Sequence, residues 1–257
     1  VELKTPGIMK MLKDSGAKII HNYGYYALVQ SPTTITKAHR LPIHDMDYRL
    51  FFQTGKFKGD LEEIPSMFAA KRNTKLYVVQ MIGPPTIQWI EEIKAYGRIY
   101  RYVPNYGYII RVRDTSAVNN LKQLSFVRDV YPYEPLWKLM RNAYKVIQSG
   151  NNSEMEFKIN ILPDTDIKKA VDEIATKYDG KIIKYFSYPK YNYAYIVAKM
   201  KPSMLVHLLQ EDFVDYVGLQ PKYRFWNADA ARVTGVWAIR HNWWNGLGYT
   251  ITGSTQV

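Results

Sequence analysis

The chain of 257 residues contains no cysteine. Disulfide staples, thiolate catalysis and Cys-type zinc sites are therefore excluded. The same absence suits a reducing cytosol and, equally, a secreted protein from a hot or oxidising habitat. No apolar run approaches the roughly 18 residues that a bilayer-spanning helix needs, so no membrane span is expected. Histidine is scarce: His21, His39, His44, His207 and His241 are the full set, and no two have metal-ligand spacing on one helix. No serine sits in a nucleophile elbow, and phosphate loops of the Walker or G-x-G-x-x-G kind are missing. No acid–base pair stands out. The chain as given is thus expected to lack catalytic residues, and no cofactor or metal site is expected.

What is present is ordinary for a folded protein, with 47% hydrophobic and 23% charged residues. The length allows two or three compact domains, each with a modest core. A net charge of +12 raises the prospect of an acidic partner. The basic residues are dispersed, however, and patches such as Lys71-Arg72 and Lys168-Lys169 are short. A solvated surface is favoured over a nucleic-acid site. The chain begins at Val1 with no visible signal peptide, the pattern expected when the start of a precursor has been removed or left out.

The dominant internal signal is a unit written three times. Asn22-Tyr23-Gly24-Tyr25, Asn105-Tyr106-Gly107-Tyr108 and Asn192-Tyr193-Ala194-Tyr195 recur at intervals of about 85 residues. At a fixed offset beyond each Asn stand Ile43, Phe126 and Phe213. These open the segments Ile43–Asp47, Phe126–Val130 and Phe213–Val217. The period is too long for a solenoid and points to successive small domains.

The third repeat reads most clearly. Glu156–Ile161 alternates polar and apolar as a half-buried strand. Asp164 or Thr165 is then placed to cap a helix carrying Ile167, Ala170, Val171, Ile174, Ala175 and Tyr178 on one face, and Gly180 is placed to end it in the left-handed conformation. Strands follow at 181–186 and 193–198, a helix from Pro202 bearing Leu205, Leu208 and Leu209, and a strand at 213–219. The second repeat gives the same order: strand 76–82, helix 86–96 closed by Gly97, strands 98–103 and 106–112, helix 116–124 and strand 127–131. The first gives helix 6–14, Gly16, strands 17–21 and 25–30, helix 34–40 and a strand near Ile43–Tyr48, with only Val1–Lys4 as its opening strand.

The expected fold is therefore α+β: three tandem ferredoxin-like βαββαβ units, each a four-stranded antiparallel sheet with two helices on one face, plus an extended C-terminal tail. The expected divisions are 1–52, a linker at 53–74, 75–148, 149–226 and the tail 227–257. The 22 tyrosines could stack bases, but the Arg/Lys-Gly-aromatic pattern of RNA-recognition sheets is absent, so packing against a neighbour is favoured. Gly24 and Gly107 read as bulge or close-packing positions, His207 as a partly buried structural histidine, and Asp45 and Asp47 as surface charges on a strand.

The tail changes the functional reading. Arg232-Val233-Thr234-Gly235-Val236-Trp237 and Gly246-Leu247-Gly248-Tyr249-Thr250 resemble the segment that opens the mature domain of a subtilisin-like serine protease (subtilase). The third repeat is similar to that family's pro-domain. The resemblance implies a secreted, extracellular precursor whose pro-region chaperones and inhibits a subtilisin-like catalytic domain, in cis or in trans. Its catalytic Asp, His and Ser would lie beyond Val257. The implied inhibitory and processing segment is Tyr223, Arg224, Phe225, Trp226 and Asn227, entering the protease cleft by β-augmentation, with processing near Trp226–Ala228.

An alternative reading is a structural subunit of an extracellular filament, built from copies of the chain. There a strand-donor tail containing Tyr249, Ile251, Thr255 and Val257 would complete a sheet in the next copy.

Overall fold

The computed structural model describes residues 1–4, 6–30, 45–58, 64–71 and 73–221. Two compact units divide the chain, Val1–Leu219 and Gln220–Val257. Within the described residues the architecture is mixed α+β, with six α-helices and four small antiparallel sheets.

Repeat two is built from β5 (Leu76–Met81), α2 (Ile87–Lys94), β6 (Gly97–Val103), β7 (Gly107–Val112), α3 (Ser116–Gln123) and β8 (Val127–Pro132). Its strands lie in the order β6-β7-β5-β8, all antiparallel. Repeat three has the same plan in β9 (Met155–Ile161), α5 (Ile167–Lys177), β10 (Lys181–Tyr188), β11 (Tyr193–Met200), α6 (Pro202–Leu208) and β12 (Val214–Leu219), in the order β10-β11-β9-β12. Repeat one shows α1 (Ile8–Asp14), β1 (Lys18–Asn22) and β2 (Ala27–Gln30). Its opening residues pair beside β2: Leu3 N–H donates to Tyr25 O at 2.8 Å, and Ala27 N–H to Val1 O at 2.8 Å.

A bulge recurs two or three residues into the second strand of every repeat, between Ile19 and His21, Ile99 and Arg101, and Ile182 and Lys184. Another interrupts the last strand of repeats two and three, skipping Arg128 and Asp215. Bulges re-aim a side chain. Here Arg128 lies over the Tyr48 ring at 3.9 Å, and Asp215 reaches Arg101 at 3.2 Å.

Helix starts follow local chemistry. Thr86 accepts from Trp89 N–H to cap α2, and Asp166 accepts from Lys168 and Lys169 N–H to cap α5. The cap is thus Asp166, not the expected Asp164 or Thr165, because Asp164 is drawn to Arg111 and Tyr100. Gly180 does not adopt the left-handed conformation; Asp179 does, at φ 51°. Gly97 is needed for close approach, since a Cβ there would lie 2.2 Å from Arg111 O.

Other expectations need correction. No strand occupies residues 45–49; Asp45 and Asp47 lie in irregular chain, and Asp47 pairs with Arg49. The stretch expected as linker contributes β4 (Gly55–Phe57), which pairs with β3 (Leu50–Phe52) as a hairpin. His207 is exposed, because the buried side of α6 is made by Leu205, Val206, Leu208 and Leu209. A further helix, α4 (Arg141–Gln148), precedes repeat three. The expected helix 34–40 and the strand start at Ile43 lie outside the described residues.

The cores divide unevenly. One lies between the sheet and helices of repeat two, around Val79, Met81, Ile93, Ile110 and Leu121. A larger one starts in the helix side of repeat three and runs without a break to the other face of the repeat-two sheet, through Tyr133, Leu136, Trp137 and Leu139. Repeats two and three therefore share a core, while the helices of repeat two keep their own.

Candidate functional site

The sheet of repeat three presents its helix-free face without a cover among the described residues. Alternation along β9 turns Phe157, Ile159 and Ile161 into the core and leaves Glu156, Lys158 and Asn160 on the other face. Pairing then places Tyr195 and Tyr216 opposite Asn160, Phe186 opposite Tyr195, and Tyr188 opposite Tyr193. The rings touch one another: Phe186 and Tyr188 have centroids 4.0 Å apart, and Tyr193 and Tyr195 are 5.6 Å apart. Lys158 Nζ lies 4.5 Å from the Tyr195 ring centroid and 5.5 Å from that of Tyr193. Tyr188 and Tyr191 are 48% and 69% exposed, at the turn end of this platform. The face is thus an aromatic surface with lysine Nζ atoms over its rings.

β12 forms one edge of this sheet and hands the chain to Gln220 and Pro221. Its outer side is held by Leu139, which bridges to Val217 in parallel, and by Met140 N–H donating to Val217 O at 2.8 Å. Asn142 Oδ1 accepts from Leu219 N–H at 3.2 Å. The last residue of β12, Leu219, is thus fixed shortly before the expected inhibitory segment. That segment, Tyr223–Asn227, and the expected donor residues Tyr249, Ile251, Thr255 and Val257 lie outside the described residues.

Beneath β12 a polar seam locks repeat three onto repeat two. Arg111 donates to Asp212 O at 2.8 Å and pairs with Asp164 at 3.3 Å, and Tyr100 donates to Asp164 at 2.7 Å. Thr74 Oγ1 donates to Asp212 at 2.7 Å. Deeper, Arg101 Nη2 donates to Tyr133 Oη at 2.7 Å, and Tyr133 donates to Asp215 O at 3.0 Å. Lys138, 2% exposed, donates to Glu211 O at 2.9 Å. Burial lowers the Lys138 pKa to about 8, against the pull of Asp212, Asp215 and Glu211. Burial also raises Asp215 above the usual carboxylate range, opposed by Arg101 and Lys138, and pushes the Tyr133 hydroxyl up. No sequence signal announced this seam, whose partners are tens of residues apart.

Residues 50–134 match a family described as a domain of unknown function (DUF8729). The matched span takes in the β3–β4 hairpin together with the whole of repeat two. It begins at Leu50, whose Cδ2 lies 3.0 Å from where a Cβ on Gly107 would be. The hairpin belongs with the sheet it covers. No curated protein and no solved structure matches the chain. Among the described residues, no cluster of His, Asp and Glu is placed to hold a metal ion, and no helix is long and apolar enough to cross a membrane.

Proposed function

We propose that the chain is the pro-region of a secreted subtilisin-like serine protease precursor, and that it chaperones and inhibits the catalytic domain. The βαββαβ order, the shared strand order and the recurrent second-strand bulge support reading it as tandem ferredoxin-like units, with repeat one a partial copy among the described residues. The observation that carries the functional reading is the pairing of an uncovered aromatic sheet face with a chain exit fixed at Leu219. A catalytic domain would close on the face while Gln220–Asn227 lies extended in its cleft. Pro221 favours the extended conformation in the residue before it. Backbone pairing would then supply affinity, and Tyr223, Phe225 and Trp226 specificity. The resemblance of 232–250 to the start of a mature subtilase supports the same order of parts.

The full chain should inhibit a subtilisin-type protease at nanomolar to micromolar concentration. A chain ending at Leu219 should keep its circular dichroism and lose that inhibition. No inhibition by the full chain at high micromolar concentration would overturn the reading.

A further inference from the structure

A cleft of about 540 Å³ opens where the β3–β4 hairpin, β6 and the segment Trp137–Met140 meet, with Tyr216 of β12 completing its wall. That size lies within the range of small-molecule sites. It borders the aromatic face at Tyr216, and a ligand in it does not depend on the protease reading. Phe51, Phe52, Trp137 and Met140 make its apolar walls. The Trp137 indole stacks on Phe52, with centroids 4.6 Å apart and planes 5° from parallel. The residue is 3% exposed and its Nε1–H is sealed from solvent, so the indole serves the cleft as an apolar wall and as a spectroscopic reporter.

Arg101 lines the same cleft. Its contacts to Tyr133 and Asp215 both run through Nη2, and its guanidinium carbon lies 5.1 Å from the Tyr216 ring centroid. Nη1 and Nε take no acceptor among the described residues. No carboxylate lines the cleft: Asp215 engages Arg101 from outside the lining. The one charged side chain in the lining is thus a cation on an aromatic wall, so a fitting ligand brings anionic acceptor oxygens on an apolar body.

We propose that this cleft binds a carboxylate carried on an aromatic or branched apolar group, as a free acid or as the C-terminal residue of a peptide. The carboxylate takes its hydrogen bonds from Arg101, and the apolar part lies against Phe51, Tyr216 and the face of the Trp137–Phe52 stack.

The test uses the ¹⁵N-labelled full chain and follows the indole N–H signals, with Trp137→Phe identifying that of Trp137. The chain is titrated with 3-phenylpropionate and its amide, and with the peptide Gly-Gly-Phe and its C-terminal amide. The Trp137 signal should move with at least one of the two acids. Each amide should bind at least about tenfold more weakly than its acid, the worth of one charge-assisted hydrogen bond. Phe51→Ala, at the mouth, should weaken the response without unfolding the chain. Response to the free acid alone, or to the peptide alone, supports the proposal and names the source. A Trp137 signal that stays still with both acids at millimolar concentration overturns it, as does equal binding of acids and amides. The acid–amide comparison runs on the unaltered chain and needs no variant to fold.

Discussion

Repeats two and three share a strand order and treat the same sheet face in opposite ways. In repeat two, the face away from the helices carries Leu76, Val78 and Ile109, all fully buried beneath the hairpin and the Tyr133–Leu139 segment. In repeat three, the positions that correspond to Leu76 and Val78 on the first strand hold Glu156 and Lys158, and the neighbouring strands add Tyr193, Tyr195 and Phe186. One polar position persists: Gln80 and Asn160 are both buried. Gln80 donates to Tyr48 O, in the chain leading to the hairpin, and to Asn105 O, in the β6–β7 turn. The scaffold is indifferent to the fate of this face. Side-chain choice at a few alternating positions decides whether it becomes core or uncovered surface.

Exchanging those side chains is the sharpest way to break the comparison. Val78→Lys buries an unpaired charge under the hairpin and should cost on the order of 5 kcal/mol or abolish folding. The reciprocal Lys158→Val removes a half-buried cation that lies over the Tyr193 and Tyr195 rings and should cost far less, about 1–2 kcal/mol. Urea midpoints of the two variants decide this, and similar losses would mean that the two faces are not differently used. Next in size is Trp137→Ala, which removes the stacked indole from the shared core and should cost about 3–5 kcal/mol by the same measurement.

Lys138 tests the seam through pH. Its pKa falls to about 8 in the fold, against 10.5 for an ordinary lysine. Between those values the unfolded chain holds the proton and the folded chain has released it. Stability should therefore rise with pH across this window, by up to roughly 3 kcal/mol, and be flat in this respect below it. Lys138→Met should abolish the rise. A wild-type chain that loses stability steadily from pH 8 to 10 would show that the ammonium is not desolvated.

Much of the secondary structure was legible because the hydrophobic period was clear, even where the capping residue was not. The helix at 167–177 shows its apolar face in Ala170 and Ile174, and the strands of repeats two and three stand within about two residues of where alternation put them. The repeated Asn-Tyr-x-Tyr word was less faithful. Asn105 and Tyr106 are both left-handed, at φ 68° and 72°, whereas in the word Asn192–Tyr195 only Asn192 is, at φ 48°. The following strand starts two residues after Asn105, at Gly107, but one residue after Asn192, at Tyr193, so Tyr108 faces the helices opposite Val79 while Tyr195 faces outward opposite Asn160. A one-residue slip in a strand exchanges its faces. Helix α4 went unseen because Met140 provides no side-chain cap and the loop Ser149–Ser153 follows directly. The cleft could not be read at all, because Phe52, Arg101, Trp137 and Tyr216 form no local motif.

The smallest expected effect bears on whether the two repeats behave as one body. Thr86 caps α2, which packs on the core confined to repeat two, and Asp166 caps α5, which packs on the shared core. Either residue replaced by Ala should lose about 1 kcal/mol, the usual worth of a cap. If the seam couples the repeats, both variants lower the same thermal transition, seen alike by tyrosine and by far-ultraviolet circular dichroism. If the core of repeat two melts on its own, Thr86→Ala splits off an early transition that Asp166→Ala leaves unmoved. The continuous core through Tyr133, Trp137 and Leu139, and the pairing of Asp164 and Asp212 with the Arg111 side, argue for the single transition. Parting the repeats would expose Lys138 and Asp215 together with the apolar segment between them, so the cost of separation falls on both at once.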